Sequence, residues 1–242
     1  MTTIIISDIH NRTRWIEPGL EKLKKDLGYD EVVFLGDYFD QFGDNPFDVG
    51  GTAAWLKQSL EHNDRIHLLG NHDMPYMAPY NDSQWCPGYS VAKGKSVRSV
   101  ITDWSKLRPA YYTQGFLLSH AGFQEDVVTH PVNGMPDSGE GLVTLAEFHL
   151  EKVKAGVAAS LFLPGSRMGE PRTGGITWCD WDDEFVHLPN ISQIVGHTPD
   201  KKVRQLLGVN GVNYCMDTHG QHIGIIKDGV VEFKLRTQLL GF

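Results

Sequence analysis

The chain has 242 residues, 40% of them hydrophobic and 21% charged, with 22 basic against 30 acidic side chains and a formal net charge of −8. That length can bury a sizeable core without staples, and the acidic balance argues against a partner gripped mainly through bulk nucleic-acid phosphate. No run approaches about 18 uninterrupted apolar residues, so no membrane-spanning helix is expected, and three scattered cysteines (Cys86, Cys179, Cys215) make no disulfide framework.

The chain opens on a β-branched run, Thr3–Ile6, that stops at Ser7-Asp8. This start lacks the basic region and cleavage site of a signal peptide, so a reducing cytoplasm is the expected compartment. Ile16, Leu20, Leu23 and Leu27 follow helical spacing, with Gly28 as a stop. Val32–Leu35 reads as a strand ending at Gly36-Asp37, and Ile66–Leu69 as one ending at Gly70-Asn71. Val97, Val100, Ile101, Trp104 and Leu107 predict a second amphipathic helix. Phe116–Leu118 is a strand ending at Ser119-His120, and Leu142, Leu145, Ala146, His149 and Val153 mark a third helix. Ile191–Val195 ends at Gly196-His197, and Val212–Met216 is a further strand. Ile223–Ile226 and Val230–Phe233 flank Lys227-Asp228-Gly229, a hairpin with Asp-Gly turn chemistry. Strands alternating with helices, then antiparallel strands, make this an α/β protein.

Five strand ends carry metal-ligand residue types: Asp8-Ile9-His10, Gly36-Asp37-Tyr38-Phe39-Asp40, Gly70-Asn71-His72-Asp73, Ser119-His120 and Gly196-His197. Each is weak alone. An aspartate after a strand is often a turn residue or helix cap, and a lone histidine is more often a satisfied core residue than a ligand. Together they gain weight, because loops beyond the carboxyl ends of strands can converge although distant in sequence. Carboxylate, imidazole and amide oxygen suit hard and borderline cations.

This order of motifs resembles the calcineurin-like metallophosphoesterases. Ser119-His120-Ala121-Gly122, Ile176-Thr177-Trp178-Cys179-Asp180 and Tyr214-Cys215-Met216-Asp217-Thr218 followed by Gly224 are similar to the branch holding phosphoprotein phosphatases and bacterial diadenosine tetraphosphate hydrolases. The resemblance implies a four-layer αββα sandwich of two mixed β-sheets, one domain over residues 1–242, with a specificity lid at about 123–175. It implies two divalent or trivalent ions, manganese first, with iron, zinc, nickel or cobalt as alternatives. Asp8, His10 and Asp37 would hold the first ion. Asp37, as the bridge, would hold the second with Asn71, His120 and His197. Many members carry another histidine where this chain has Pro199. A hydroxide shared by the ions would attack phosphorus, with His72 as general acid, Asp40 as its orienting partner, and Asp73 as hydrogen-bond support.

The implied activity is hydrolysis of phosphomonoesters, of the serine/threonine protein phosphatase-like type. Dinucleoside polyphosphate hydrolysis and phosphodiester hydrolysis are the alternatives, and a non-catalytic module binding a phosphorylated ligand is a distant one. The partner would be a phosphorylated protein, nucleotide or small molecule, with neither membrane nor bulk nucleic acid. The departures concern substrate. Protein phosphatases continue the second block with Arg-Gly, whereas this chain has Gln41-Phe42, and no arginine lies between Trp178 and Leu188. Arg12, two residues beyond a ligand, is the first candidate to replace that phosphate clamp, ahead of Arg167 and Arg172 in the loop SRMGEPRTGG. Gln41 leaves a neutral group in the clamp's place, which predicts a weak grip on a dianion. Trp178, Trp181 and the aromatics from Tyr76 to Trp85 read as packing, Asp180, Asp182 and Asp183 as an acidic surface turn, and His219 and His222 as part of a loop by the site.

Overall fold

β1 (Thr2–Ile6) carries five buried residues in a row, so both of its faces must be covered. In the computed structural model, which describes residues 1–77, 85–128 and 136–241, it lies inside a six-stranded sheet. β1, β2 (Glu31–Phe34), β3 (Arg65–Leu68) and β4 (Leu107–Arg108) run parallel. β10 (His222–Lys227) and β11 (Val230–Leu235) add antiparallel on the other edge, in the order β11-β10-β1-β2-β3-β4. A second mixed sheet has β5 (Ala110–Thr113), β6 (Phe116–Ser119), β7 (Ser192–Val195), β9 (Gly211–Cys215) and β8 (Arg204–Gly208), in that order.

Alternation along the strands builds the layers. Ile5, Val33, Leu35 and Leu68 of the first sheet meet Phe116, Leu118, Ile194 and Met216 of the second. The opposite side chains of β1 and β2 (Ile4, Ile6, Val32, Phe34) belong to a second buried cluster. It includes Leu20 and Leu23 of α1 (Ile16–Leu27) and Val49 and Ala53 of α2 (Pro46–Ser59). Leu142, Ala146 and Leu150 of α5 (Gly139–Lys154) join that cluster, and α5 lies against β5. The result is the expected four-layer αββα sandwich. Two sheets back to back bring the ends of β1, β2, β3, β6 and β7 to one edge, and this places the site.

Some elements differ from the sequence reading. The helix expected from Val97 to Leu107 is α3 (Val91–Arg98), capped by the Ser90 side chain. Leu107 instead pairs with His67 in β4, since Arg108 precedes Pro109 and the residue before proline disfavours helix. Trp104 and Leu107 are buried all the same, which is why their spacing imitates a helix. No expected element covers α2, although Asn45 caps it through a capping box with Asp48 and Pro46 begins it. The hairpin turn is as expected: Asp228 (φ 52°) and Gly229 (φ 79°) are both left-handed. Within 123–175, α4 (Glu125–Val128) precedes α5, which buries one face in the outer layer. Residues 129–135 of that span, and 78–84 of the aromatic stretch, lie outside the described residues. All three cysteines are buried and unpaired. No described helix is long and apolar enough to cross a membrane.

His67 of β3 sets part of the pH response. It is fully buried, stacked on Phe34 (centroids 4.5 Å apart) and held by Ser59 Oγ and Tyr38 Oη, each at 3.0 Å. Burial, then the charge on Arg65, pushes its imidazole down from 6.5 to about 3. An unfolded chain takes up this proton below pH 6.5 and the folded one resists, so His67 contributes stability above that pH and loses it as pH falls. We expect about 2 kcal/mol of this contribution to vanish between pH 7 and pH 5. Urea unfolding at both pH values should show His67→Gln losing less stability than wild type. Equal losses would contradict the assignment.

Candidate metal centre

Each block enters the site from the end of a strand. Asp8 and His10 follow β1, Asp37 and Asp40 follow β2, Asn71 and His72 follow β3, His120 follows β6, and His197 follows β7. Loops this close need backbone without side chains. A Cβ on Gly36 (φ +98°) would lie 2.4 Å from the Gly70 nitrogen, and one on Gly70 would lie 2.1 Å from Asp37 Oδ1. Asp8, His10, Asp37 and His197 have φ of 44°, 43°, 54° and 68°, the left-handed region that costs a non-glycine residue about 1–3 kcal/mol. Four such residues meeting at one point make this the candidate functional site.

The donor atoms converge. His120 Nε2 is 3.0 Å from Asn71 Oδ1, 3.1 Å from His197 Nδ1 and 3.4 Å from Asp37 Oδ2. On the other side of Asp37, His10 Nε2 is 3.6 Å from the same Oδ2. Asp37, His120 and His197 form one group of ligand atoms, and Asp8, His10 and Asp37 a second that shares Asp37. The outer nitrogens of the three imidazoles face backbone carbonyls. His10 Nδ1 lies 2.9 Å from Phe39 O and 2.7 Å from Asp40 O, His120 Nδ1 2.9 Å from Leu35 O, and His197 Nε2 3.2 Å from Trp178 O. A carbonyl only accepts, so each outer nitrogen donates to it, and in the neutral ring the inner nitrogen is the one that presents a lone pair. Carboxylate, amide oxygen and imidazole lone pairs facing one another suit a cation.

The electrostatics agree. Burial, and then Asp217, push the Asp8 carboxyl well above the usual range, with Asp37 adding to it. Burial lowers the His120 imidazole, but Asp37 outweighs it and lifts the group to about 9. His197 is pushed well below the usual range by burial and then by His120. Against burial, His120 and then His72 hold the Asp37 carboxyl well below the usual range, so positive charge is drawn to this carboxylate, and a divalent ion could supply it in place of the His120 proton.

His72 and Asp40 lie at the rim. His72 Nδ1 is 3.3 Å from Asp40 Oδ2, and the His72 backbone N–H donates to Asp37 Oδ1 at 2.9 Å. Burial works against a charged His72, but Asp37 and Asp40 lift it to about 11. Fully buried Asp73 accepts the N–H groups of Asp37, Tyr38 and Gly70 at 2.8, 2.9 and 2.8 Å, tying two ligand loops together.

A cleft of about 500 Å³ opens here, lined by His10, Asp37, Asn71, His72, His197, Arg167, Met168, Trp178, Asp180, Pro199, Asp217 and His219 among others. The clamp candidates separate. Arg12 does not line the cleft. Its guanidinium donates to Ile9 O, His219 O and Asp8 O at 3.0, 2.9 and 2.8 Å, so it braces the ligand loop instead of facing substrate. Arg172 pairs with Glu170 on the surface. Gln41 is exposed and lines a neighbouring groove with Phe42 and Arg14. Arg167 alone of the four reaches the cleft, held by Asp180 at 2.6 Å and Thr198 Oγ1 at 3.2 Å. Asp180 is thus an arginine's partner rather than a plain surface turn. Trp181 stacks on Phe185 at 4.4 Å, which is packing. Asp217 also lines the cleft and acts on Asp8, a place the sequence reading does not give it, although Val212–Met216 followed by Asp217 repeats the strand-then-carboxylate pattern.

The family model for calcineurin-like phosphoesterases matches residues 1–220. The chain belongs to the calcineurin-like phosphoesterase family. It is accordingly a hydrolase of phosphoester bonds, in a family that depends on two metal ions. Among solved structures, the cold-active protein-tyrosine phosphatase of a psychrophilic Shewanella species aligns with a TM-score of 0.55 at 16% identity, covering 96% of this chain and 80% of that one. Another structure of a cold-active protein tyrosine phosphatase gives 0.53 at 18% identity, covering 96% and 78%. A putative diadenosine tetraphosphatase aligns at 0.44 with 16% identity, covering 97% and 93%. At these identities the likeness is one of fold. No curated protein matches. Within this phosphoesterase, α5 covers a sheet, and among the described residues of 123–175 it is Arg167 and Met168 that line the cleft.

Proposed function

We propose that this phosphoesterase is a phosphomonoesterase, with Asp8, His10 and Asp37 holding one ion and Asp37, Asn71, His120 and His197 the other. The single observation behind the reading is the lone-pair cluster around Asp37 with the His72–Asp40 pair at its edge. When bound, two such ions supply Lewis acidity toward a phosphoryl group and lower the pKa of water. The remaining work falls to the chain. His72 delivers a proton to the departing oxygen, and Asp40 keeps the ring charged and oriented. Arg167 supplies, from a different loop, the positive charge that Gln41 does not. A guanidinium can grip a phosphate dianion bidentately, which favours monoesters over diesters.

The test is one substrate panel with added Mn²⁺: p-nitrophenyl phosphate, its bis-ester, a phosphopeptide and diadenosine tetraphosphate. Monoesters should give the highest kcat/KM, and chelation should abolish turnover. Arg167→Ala should raise KM for monoesters by about tenfold or more, the worth of a charge-assisted contact, and leave the bis-ester nearly unchanged. Preference for the bis-ester or the dinucleotide would overturn the monoesterase reading. Full turnover after verified metal removal would overturn the metal assignment.

A further inference from the structure

Asp40 has one oxygen on His72, and its other oxygen, Oδ1, belongs to a network that the reaction above leaves unused. Oδ1 accepts the Tyr76 hydroxyl at 2.5 Å and Lys93 Nζ at 3.2 Å. Lys93 lies in the first turn of α3, far from the ligand blocks in sequence, and its side chain is 8% exposed. Its ammonium has three donors and three acceptors here: Asp40 Oδ1, Asp44 Oδ1 and Gly88 O, the last at 2.8 Å. Asp44 in turn accepts Asn11 Nδ2 at 2.8 Å and the Gln41 N–H at 3.2 Å, which ties the loops after His10 and Asp40 to the same lysine. Behind Asp40 the chain comes closer than a side chain allows: a Cβ on Gly88 (φ +97°) would lie 2.9 Å from Asp40 Cβ.

A buried lysine is costly to keep, and a helix could be anchored there by an apolar side chain. The geometry points to Lys93 as a positioning residue for the leaving-group acid. It fixes Asp40 by Oδ1, so that Oδ2 meets His72 in one orientation. This inference rests on the proposed role of His72 and extends it to a residue outside the ligand blocks. A purely structural lysine would lower turnover of every substrate alike. A lysine acting through Asp40 and His72 matters only where the leaving oxygen needs a proton.

The test compares Lys93→Gln and Lys93→Met with wild type, loaded with Mn²⁺, on p-nitrophenyl phosphate and on glycerol phosphate. General acid catalysis is worth about 10²–10⁴-fold, and partial loss of its alignment should lower kcat on glycerol phosphate by about tenfold. On p-nitrophenyl phosphate the fall should stay under about twofold, because that leaving group needs little protonation. KM and bound metal should not change, and adding Lys93→Gln to Asp40→Asn should give no further fall. Lys93→Gln keeps hydrogen-bond donors and volume, so it carries the comparison if Lys93→Met does not fold. An equal loss on both substrates, no loss on either, or an additive double mutant would overturn the inference. Wild type inactive on both would instead overturn the monoesterase reading beneath it.

Discussion

Asp37→Asn is expected to remove nearly all activity and the binding of metal. The carboxylate belongs to both groups of ligand atoms, with Oδ2 3.6 Å from His10 Nε2 and 3.4 Å from His120 Nε2. An asparagine there keeps the shape but removes the charge, and it turns one acceptor into a donor among acceptors. Lewis acidity toward a phosphoryl group is worth several kcal/mol, so kcat should fall by at least about 10³-fold. Binding is visible without turnover. An ion that binds only the folded chain stabilises it by about 2.7 kcal/mol at a hundred times its Kd. Wild type should therefore melt several degrees higher with Mn²⁺ than with chelator, and Asp37→Asn should show little difference between the two. A variant that still gains stability from Mn²⁺ as wild type does would remove Asp37 from the shared position.

Much of this site is legible in the amino-acid order alone, for a physical reason. The residues that close β1, β2, β3, β6 and β7 are buried in a two-sheet core, so the strands end abruptly, and a carboxylate, amide or imidazole within three residues of each end is a candidate ligand. Asp8, Asp37, Asn71, His120 and His197 all sit at that boundary. What escapes such a reading is direction. Arg12 is only two residues from His10, yet its side chain turns back onto three carbonyls. Arg167 is thirty residues before His197 and reaches the cleft because Asp180 and Thr198 hold it there. Sequence distance to a ligand does not say which way a long side chain points. Lys93 and Tyr76 escape for a related reason, since they act through Asp40 and carry no local pattern. α2 escapes because Gly50 and Gly51 blur its periodicity, although its cap is in view at Asn45. The helix expected over 97–107 fails because buried Trp104 and Leu107 imitate helical spacing from an irregular segment.

The remaining large effect concerns the proton. His72→Asn should lower kcat on glycerol phosphate by about 10²–10⁴-fold, the usual worth of general acid catalysis. Metal content should stay near wild type, because the converging donor atoms belong to Asn71, His120, His197, Asp37, His10 and Asp8, and not to His72. The leaving group decides the size of the loss. p-Nitrophenolate departs without help, so the same variant should lose far less on p-nitrophenyl phosphate. The pH profile gives an independent reading. Asp37 and Asp40 lift His72 to about 11 against the effect of burial. Cations held at Asp37, as proposed, would weaken that lift, so the alkaline limb of kcat should lie below that value. His72 must be charged to donate, so wild-type kcat on glycerol phosphate should fall through that limb as pH rises, and His72→Asn should lack it. Asp40→Asn should keep the limb but move it to lower pH, since the imidazolium loses its nearest counter-charge. The double variant should lose little more than His72→Asn alone, because the pair works as a unit. Equal losses on the two substrates, or an alkaline limb that survives His72→Asn, would assign the proton to another group.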